Sequence, residues 1–207
     1  MRQQRVFPEC NVDTNLVSHI LGAAVMHKST CNEVVKAVNN SDIFSIGIID
    51  ADKRQATMDS GFQEYVENPK ADGVSKHITM FIHRDTKRYM FTVKPAMDKF
   101  ILDAAKEQNV DLKELGFATS LDGFKKQTKR VQASNDPGLR RLFALIEHNS
   151  EFRRFRNTLK YLNNTQYDSD PELAKRFFNG ELGDDALQQF LLYGVIGTGP
   201  VDPALTD

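Results

Sequence analysis

The feature of this sequence that most constrains its fold is a nearly continuous run of apolar and β-branched residues at positions 43–49. A run of this length without regular polar alternation is typical of a strand that is buried on both faces of a sheet. Such strands occur mainly in α/β proteins, where helices cover a partly parallel sheet. The run ends abruptly in Asp50, Ala51 and Asp52. The sequence therefore predicts an α/β fold with two acidic residues at the end of a buried strand.

Hydrophobic periodicity and turn residues predict the other elements. Before the buried strand we expect a short strand at 5–8, a helix that is capped by Asp13 or Thr14 and extends to 25, and a helix after Thr30. After it we expect a helix at 58–67, a hairpin with strands at 77–83 and 89–93, and a helix with Pro95 in its first turn. Every later periodic segment indicates a helix. We therefore predict an α/β domain over residues 1–105 and a helical region over residues 106–207.

The composition is that of an ordinary globular chain. Of the 207 residues, 40% are hydrophobic and 27% are charged, which excludes collagen-like and disordered classes. No apolar run approaches the roughly 18–20 residues that span a bilayer, so we expect no membrane segment, no signal peptide and a cytoplasmic location. With only Cys10 and Cys31, the chain is expected to hold free thiols and not a disulfide framework.

Charge is unevenly distributed along the chain although the formal net charge is only −1. Residues 121–160 contain ten basic and four acidic residues, whereas residues 166–207 contain two basic and eight acidic ones. The basic segment predicts contact with nucleic-acid phosphates, which supply most sequence-independent affinity. The alternative is that these bases form the solvated faces of helices and pair with the acidic segment.

Three acidic residues stand at the ends of predicted strands. Glu9 follows the first strand, and Asp50 and Asp52 follow the second. Ligands of α/β sheets collect at the carboxyl ends of parallel strands, and carboxylate oxygens are the ligands that hard cations prefer. The pattern predicts a site for Mg²⁺ (or Mn²⁺) suited to phosphodiester chemistry. The alternative is that these acids serve only as turn residues or helix caps.

The same residues carry a resemblance to a known family. An apolar strand that ends in Glu9, Asp13 at the start of a helix, and a strand that ends in Asp50-Ala51-Asp52 resemble the Toprim (topoisomerase-primase) domain. Residues 93–102 resemble the matching segment of small Toprim-like proteins from bacterial defence loci, of the RloB type and the nuclease half of OLD proteins. The resemblance covers roughly the first half of the chain.

This resemblance implies a Toprim-like, partly parallel sheet flanked by helices, with an all-helical C-terminal half. It implies that Glu9 is a metal ligand or general acid/base, that Asp50 and Asp52 bind magnesium, and that Asp13 and Asp98 assist. It also implies an ATPase partner and a role in antiviral defence. Two positions depart from the family: Cys10 replaces a glycine, and Pro8 lies in a strand expected to be central. Either the first strand ends at Phe7 or Glu9 is not a site residue.

Phosphoryl transfer also needs cations beside the scissile phosphate. The candidates are Lys53, Lys94 and Lys129, of which Lys129 is the family-like choice. The predicted nucleic-acid contacts are Lys125, Lys126, Lys129 and Arg130. The five histidines show no zinc spacing and are expected to have structural or surface roles.

Three functions follow from these observations. The first is a metal-dependent nuclease or related phosphoryl-transfer enzyme acting on DNA or RNA. The second is a non-catalytic Toprim-like subunit that binds a partner protein. The third, a phosphotransferase or phosphatase for small molecules, needs no basic segment. Assembly of identical chains is left open.

Overall fold

The computed structural model describes residues 5–41, 44–51, 57–65 and 75–196. Five strands form one mixed sheet. They are β1 (Val6–Pro8), β2 (Phe44–Asp50), β3 (Phe62–Glu64), β4 (Ile78–His83) and β5 (Lys87–Val93). Their order in the sheet is β1-β2-β5-β4-β3. β2 pairs in parallel with β1 and β5, whereas β4 pairs antiparallel with β5 and β3. The carboxyl ends of β1, β2 and β5 therefore meet at one edge of the sheet.

The predicted buried strand is confirmed as β2. Its side chains alternate between two buried faces, with Ile46 and Ile48 on one face and Ile49 on the other. Gly47 is required by close packing, because a Cβ atom there would lie 2.2 Å from the sulfur of Met90 and 2.9 Å from Val38. The predicted hairpin is also confirmed, as β4 and β5.

Eight α-helices surround the sheet in the described part of the chain. They are α1 (Asn11–Leu21), α2 (Cys31–Asn39), α3 (Met97–Glu107), α4 (Leu121–Thr128), α5 (Pro137–Leu145), α6 (Ser150–Thr165), α7 (Pro171–Phe178) and α8 (Asp184–Tyr193). Two short 3₁₀ segments, Val131–Asn135 and Gln166–Asp168, connect them. From β5 to residue 196 the regular structure is entirely helical, as expected from periodicity. No helix of the described residues combines the length and apolar character that crossing a bilayer requires.

The sheet separates two apolar clusters. The smaller one joins Val34, Val35 and Val38 of α2 to Phe7, Ile49 and Met90. The larger one fills the opposite face and continues through α1, α3, α5, α6 and α7. Phe91 of β5 contacts Phe155 of α6, with ring centroids 5.4 Å apart. The apolar core is thus continuous from the sheet into the C-terminal helices, and the division at residues 105 and 106 stays a prediction.

Three sequence expectations were wrong in detail. The helix at 58–67 is absent from residues 57–65, where β3 pairs Phe62 with His83. Helix α1 begins at Asn11 after the N-cap Cys10, and it ends at Leu21 because Gly22 adopts a left-handed conformation with φ 64°. Pro95 precedes α3, whose N-cap is Ala96.

Candidate functional site

Glu9 and Asp50 lie together at the carboxyl ends of β1 and β2. The backbone N–H of Glu9 donates to the carbonyl oxygen of Ile48 at 3.1 Å, which continues the parallel pairing past Pro8. The backbone N–H of Asp50 donates to Oε2 of Glu9 at 3.1 Å. The expectation that the first strand is central was wrong, because β1 is an edge strand of the sheet. The missing N–H of Pro8 is tolerated at such an edge, so Pro8 does not exclude Glu9 from the site. Glu9 and Asp50 therefore lie close together, as expected from the sequence.

Asp98 reaches the same place from helix α3. The backbone N–H of Met97, in the first turn of that helix, donates to Oδ1 of Asp50 at 2.9 Å. The next residue, Asp98, is buried, and its Oδ1 accepts a hydrogen bond from the hydroxyl of Thr128 in α4 at 2.5 Å. Carboxyl groups from β1, β2 and α3 thus converge at one edge of the sheet.

Asp13 lies next to this group but is completely buried. Its Oδ2 accepts a hydrogen bond from the backbone N–H of Cys10 at 3.3 Å. Its Oδ1 has no hydrogen-bond partner among the described residues. Burial, and then the negative charge of Asp50, raise the pKa of Asp13 well above its usual value. An unpartnered, buried carboxylate oxygen is costly unless a proton or a cation accompanies it.

Burial and the neighbouring acids also raise the pKa values of Asp50 and of the Cys10 thiol. Burial, reinforced by the charges of Glu9 and Asp98, raises the pKa of Asp50 to about 7, although the Met97 N–H and Lys125 oppose the shift. Burial and the carboxylate of Asp13 raise the pKa of the Cys10 thiol. Cys10 therefore carries a protonated thiol at neutral pH, which is a poor nucleophile.

Three of these acids line a cleft of about 1030 Å³. Glu9, Asp50 and Asp98 lie in its wall, together with Thr128 and the basic residues Lys129 and Arg140. The guanidinium of Arg140 donates from Nε to Oδ1 of the fully buried Asn15 at 3.2 Å. The cleft thus presents negative and positive charge side by side, an arrangement that suits a phosphate group accompanied by a cation.

The predicted cations occupy different positions. Lys129 lines the cleft, and Lys125 is near enough to Asp50 to act on its pKa. Lys126 and Arg130 are exposed on and just after α4, outside the cleft wall. Lys94 is exposed beyond the end of β5 and also lies outside the cleft wall. Asp52 and Lys53 fall outside the described residues.

Sequence reasoning missed two residues of the cleft, His27 and Arg140. Neither belongs to a recognisable motif, and their positions depend on how the chain folds after α1 and on how α5 packs.

His77 and His83 have contacts that fit the expected structural roles. Both ring nitrogens of the buried His77 lie 2.9 Å from carboxylates, those of Glu151 and Asp103, and Nε2 of His83 lies 2.6 Å from Arg88.

Among the described residues, no group of three or more His, Cys, Asp or Glu side chains is arranged to hold a metal ion. Mg²⁺, however, is commonly held by one or two carboxylates together with water and substrate phosphate. Glu9 and Asp50 satisfy that smaller requirement in residue type and proximity. Burial and the neighbouring acids disfavour the charged forms of Asp13 and Asp50, a cost that a bound cation would offset. The residues present therefore fit a cation held by two carboxylates.

Comparison with protein-family models, with curated proteins and with solved structures found no match. The coordinates themselves establish the class: an α/β protein with a five-stranded mixed sheet and a cleft at the carboxyl edge of its parallel strands.

Proposed function

We propose that this chain is a Mg²⁺- or Mn²⁺-dependent nuclease, or a related phosphoryl-transfer enzyme, acting on nucleic acid in the cleft between Glu9 and Arg140. The single observation that carries the proposal is the contact between Oε2 of Glu9 and the backbone of Asp50 at the carboxyl ends of two parallel strands. Two acids from separate segments are brought together at the edge where ligands of α/β sheets bind. Their mutual repulsion is offset when a cation is bound.

The roles of the side chains follow from their positions. Glu9 and Asp50 would hold the cation, and Asp98 adds negative charge behind Asp50. Lys129 and Arg140, in the same cleft wall, would contact the phosphates of the substrate. When bound, the cation supplies the positive charge that stabilises a phosphodiester undergoing displacement. Lys125 and Lys126 of α4, and Arg130 two residues after its end, extend the positive charge from the site.

The test uses the purified full chain with plasmid, single-stranded DNA and single-stranded RNA, with Mg²⁺ or Mn²⁺ and with a chelator. We expect cleavage that requires the metal. Asp50→Asn and Glu9→Gln preserve size and one acceptor oxygen but remove the charge, and we expect each to lower the rate constant by at least about 10²-fold. Asp85→Asn, at the exposed turn between β4 and β5, is the matched control and should cleave like the parent chain.

A second candidate is a non-catalytic interaction subunit. The observation that favours it is that Oε2 of Glu9 and Oδ1 of Asp50 both accept hydrogen bonds from backbone N–H groups, which is a structural use of these side chains. Metal-independent stability and no cleavage of any of the three substrates would favour this candidate and contradict the first. An ATPase partner and a role in anti-phage defence stay predictions under either candidate.

A further inference from the structure

His27 is a cleft residue that the proposed function has not used. It is exposed, it lines the same cleft as Glu9 and Asp50, and it follows α1 in a segment without regular structure. Its Nδ1 lies 2.9 Å from the hydroxyl oxygen of Thr14 in α1. Its Nε2 has no hydrogen-bond partner among the described residues.

The hydrogen bonds of Thr14 determine which ring nitrogen of His27 carries the proton. The Thr14 hydroxyl donates its only hydrogen to the carbonyl oxygen of Cys10 at 2.8 Å, because a carbonyl can only accept. The same hydroxyl oxygen can then only accept from Nδ1 of His27. This hydrogen-bond pattern favours the neutral imidazole that is protonated on Nδ1 and presents an unprotonated Nε2.

Both chain neighbours of Glu9 are connected by hydrogen bonds to the segment that carries His27. On one side of Glu9, the carbonyl oxygen of Cys10 receives the Thr14 hydroxyl that orients the imidazole. On the other side, the carbonyl oxygen of Pro8 accepts a hydrogen bond from the backbone N–H of Lys28 at 2.9 Å. Both neighbours of Glu9 are thus tied to His27 or to the residue after it. The pattern is that of a nucleophile-activating base whose third group, here Thr14, orients the ring.

We propose that His27 is a further catalytic residue of this site, the proton acceptor for the attacking water in phosphodiester hydrolysis. This inference rests on the proposed function. The water oxygen forms the new bond to phosphorus while its proton passes to Nε2 of His27. The ester P–O bond breaks, its electron pair leaves with the ester oxygen, and that oxygen takes a proton from solvent. His27 then returns its proton to solvent.

The groups that share the cleft with His27 set its surroundings. They are the acids Glu9, Asp50 and Asp98 and the bases His19, Lys129 and Arg140. Acidic and basic groups are thus both present. Among the described residues, the hydrogen bond that orients the ring is made with the hydroxyl of Thr14, a neutral partner, and not with a carboxylate.

The first experiment tests the tautomer and does not depend on activity. Long-range ¹H–¹⁵N NMR spectra at pH 8, where imidazoles are ordinarily neutral, report which nitrogen of His27 is protonated. We expect the proton on Nδ1 in the parent chain and in Thr14→Ser, which keeps the hydroxyl. Thr14→Val, of nearly the same shape, should shift the population towards the Nε2-protonated form. A parent chain protonated on Nε2 overturns the inference.

The second experiment tests the proton transfer. His27→Asn keeps an N–H donor near the position of Nδ1 but has no group to accept the proton, so the contact with Thr14 is preserved. We expect the rate constant for cleavage at saturating metal to fall by roughly 10²–10⁴-fold, with KM little changed. At acid pH, protonation of Asp50 should lower the rates of both proteins, so the difference between them should be largest at pH 8 and should shrink as the pH falls. Equal rates and equal pH profiles for the two proteins overturn the inference.

Failure of the inference and failure of the proposed function have different signatures. If the parent chain cleaves nucleic acid but His27→Asn cleaves equally well, only the role of His27 is wrong. If the parent chain cleaves nothing, the proposed function is wrong, and with it the catalytic role of His27. The tautomer measurement then still decides whether Thr14 fixes the ring.

Discussion

Asp50 brings three neighbours together through one short side chain and one backbone amide. Its N–H contacts Glu9, its Oδ1 contacts the first turn of α3, and its charge is repelled by Asp98. Each contact arises from a different element, so the protonation of Asp50 reports on the assembly of the whole edge. Its pKa of about 7 means that the carboxyl loses its proton near neutral pH, where a cation would replace it.

Asp50→Asn should change how stability depends on pH. The pKa of Asp50 is about 3.8 in the unfolded chain and about 7 in the folded one, so the folded state binds the proton more tightly. The stability that this proton contributes is fully present below pH 3.8 and is lost as the pH rises through 7. Without divalent ions, we therefore expect Asp50→Asn to be more stable than the parent chain at pH 8 and about equally stable at pH 4.

Urea unfolding at both pH values measures this difference. Asp85→Asn, which alters an exposed carboxyl, is the control and should follow the parent chain at each pH. An equal difference between Asp50→Asn and the parent chain at pH 4 and pH 8 would contradict the assigned pKa. Added Mg²⁺ should stabilise the parent chain at pH 8 and leave Asp50→Asn nearly unchanged.

The residues of the candidate site differ in how well the sequence predicts them. Glu9 and Asp50 follow from a general rule, because parallel strands bring their carboxyl ends together. Asp98 depended on a family resemblance, since only the packing of α3 beside β2 brings it to Asp50. His27 could not be predicted, because its orientation depends on a single hydroxyl on a neighbouring helix and on the path of a segment without periodicity.

At the scale of secondary-structure elements, helix α6 is joined to strand β4 by one buried side chain. Oε1 of Glu151 accepts hydrogen bonds from the backbone N–H groups of His77 and Ile78, at 2.8 and 3.0 Å. Its Oε2 lies 2.9 Å from Nδ1 of the His77 ring. Glu151 thus supplies acceptors at the start of a strand whose first N–H groups would otherwise be buried without partners.

Removing this acceptor should be costly. Glu151→Ala leaves the backbone N–H groups of His77 and Ile78 and the Nδ1 atom of His77 without their partner, so we expect the free energy of unfolding to fall by about 3 kcal/mol. Urea unfolding monitored by circular dichroism measures the loss. Glu114→Ala removes an exposed carboxylate of the same type and should change stability by no more than about 0.5 kcal/mol. Similar values for the two variants would show that the buried contacts contribute little.

The elements themselves were predictable where their pattern is long. β2, the hairpin and the helices after Pro95 follow from runs of buried or periodic residues, which local sequence encodes directly. The residues of β3 were wrongly predicted to lie in a helix. β3 has only three residues, and pairing with β4, rather than its own sequence pattern, makes it a strand. The early end of α1 depends on one glycine conformation, which periodicity does not detect.

For the whole molecule, the two oppositely charged segments are in contact. Arg156 of α6 donates to Oδ1 of Asp184 in α8 at 2.5 Å, and the side chain of Asn157 donates to the same oxygen at 2.8 Å. Part of the basic segment therefore pairs with acidic residues, as one of the two alternatives predicts. Lys126 and Arg130 are exposed, and Lys129 between them lines the cleft.

The bases near α4 should govern the salt dependence of nucleic-acid binding. We expect the double variant Lys126→Glu and Arg130→Glu to bind single-stranded DNA more weakly. The slope of log K against log salt should become shallower by about one for each phosphate that the variant no longer neutralises. Fluorescence anisotropy at several salt concentrations measures both the affinity and this slope.

The matched control for this prediction is the double variant Lys106→Glu and Lys113→Glu, which makes the same change in net charge at exposed positions away from the cleft. We expect the control to keep most of the parent slope. Equal reductions of the slope in the two double variants would indicate a response to net charge alone and would contradict a binding surface beside α4.

The segment that follows α1 and contains Met26, His27 and Lys28 also covers the outer edge of the sheet. The N–H groups of Met26 and Lys28 donate to the carbonyl oxygens of Val6 and Pro8 on the outer side of β1. An uncovered edge strand invites pairing between molecules, and thereby aggregation. Pro8 removes one donor from that edge, and the segment occupies two acceptors. The stretch that carries His27 therefore also protects the sheet from growing by addition of a neighbouring chain.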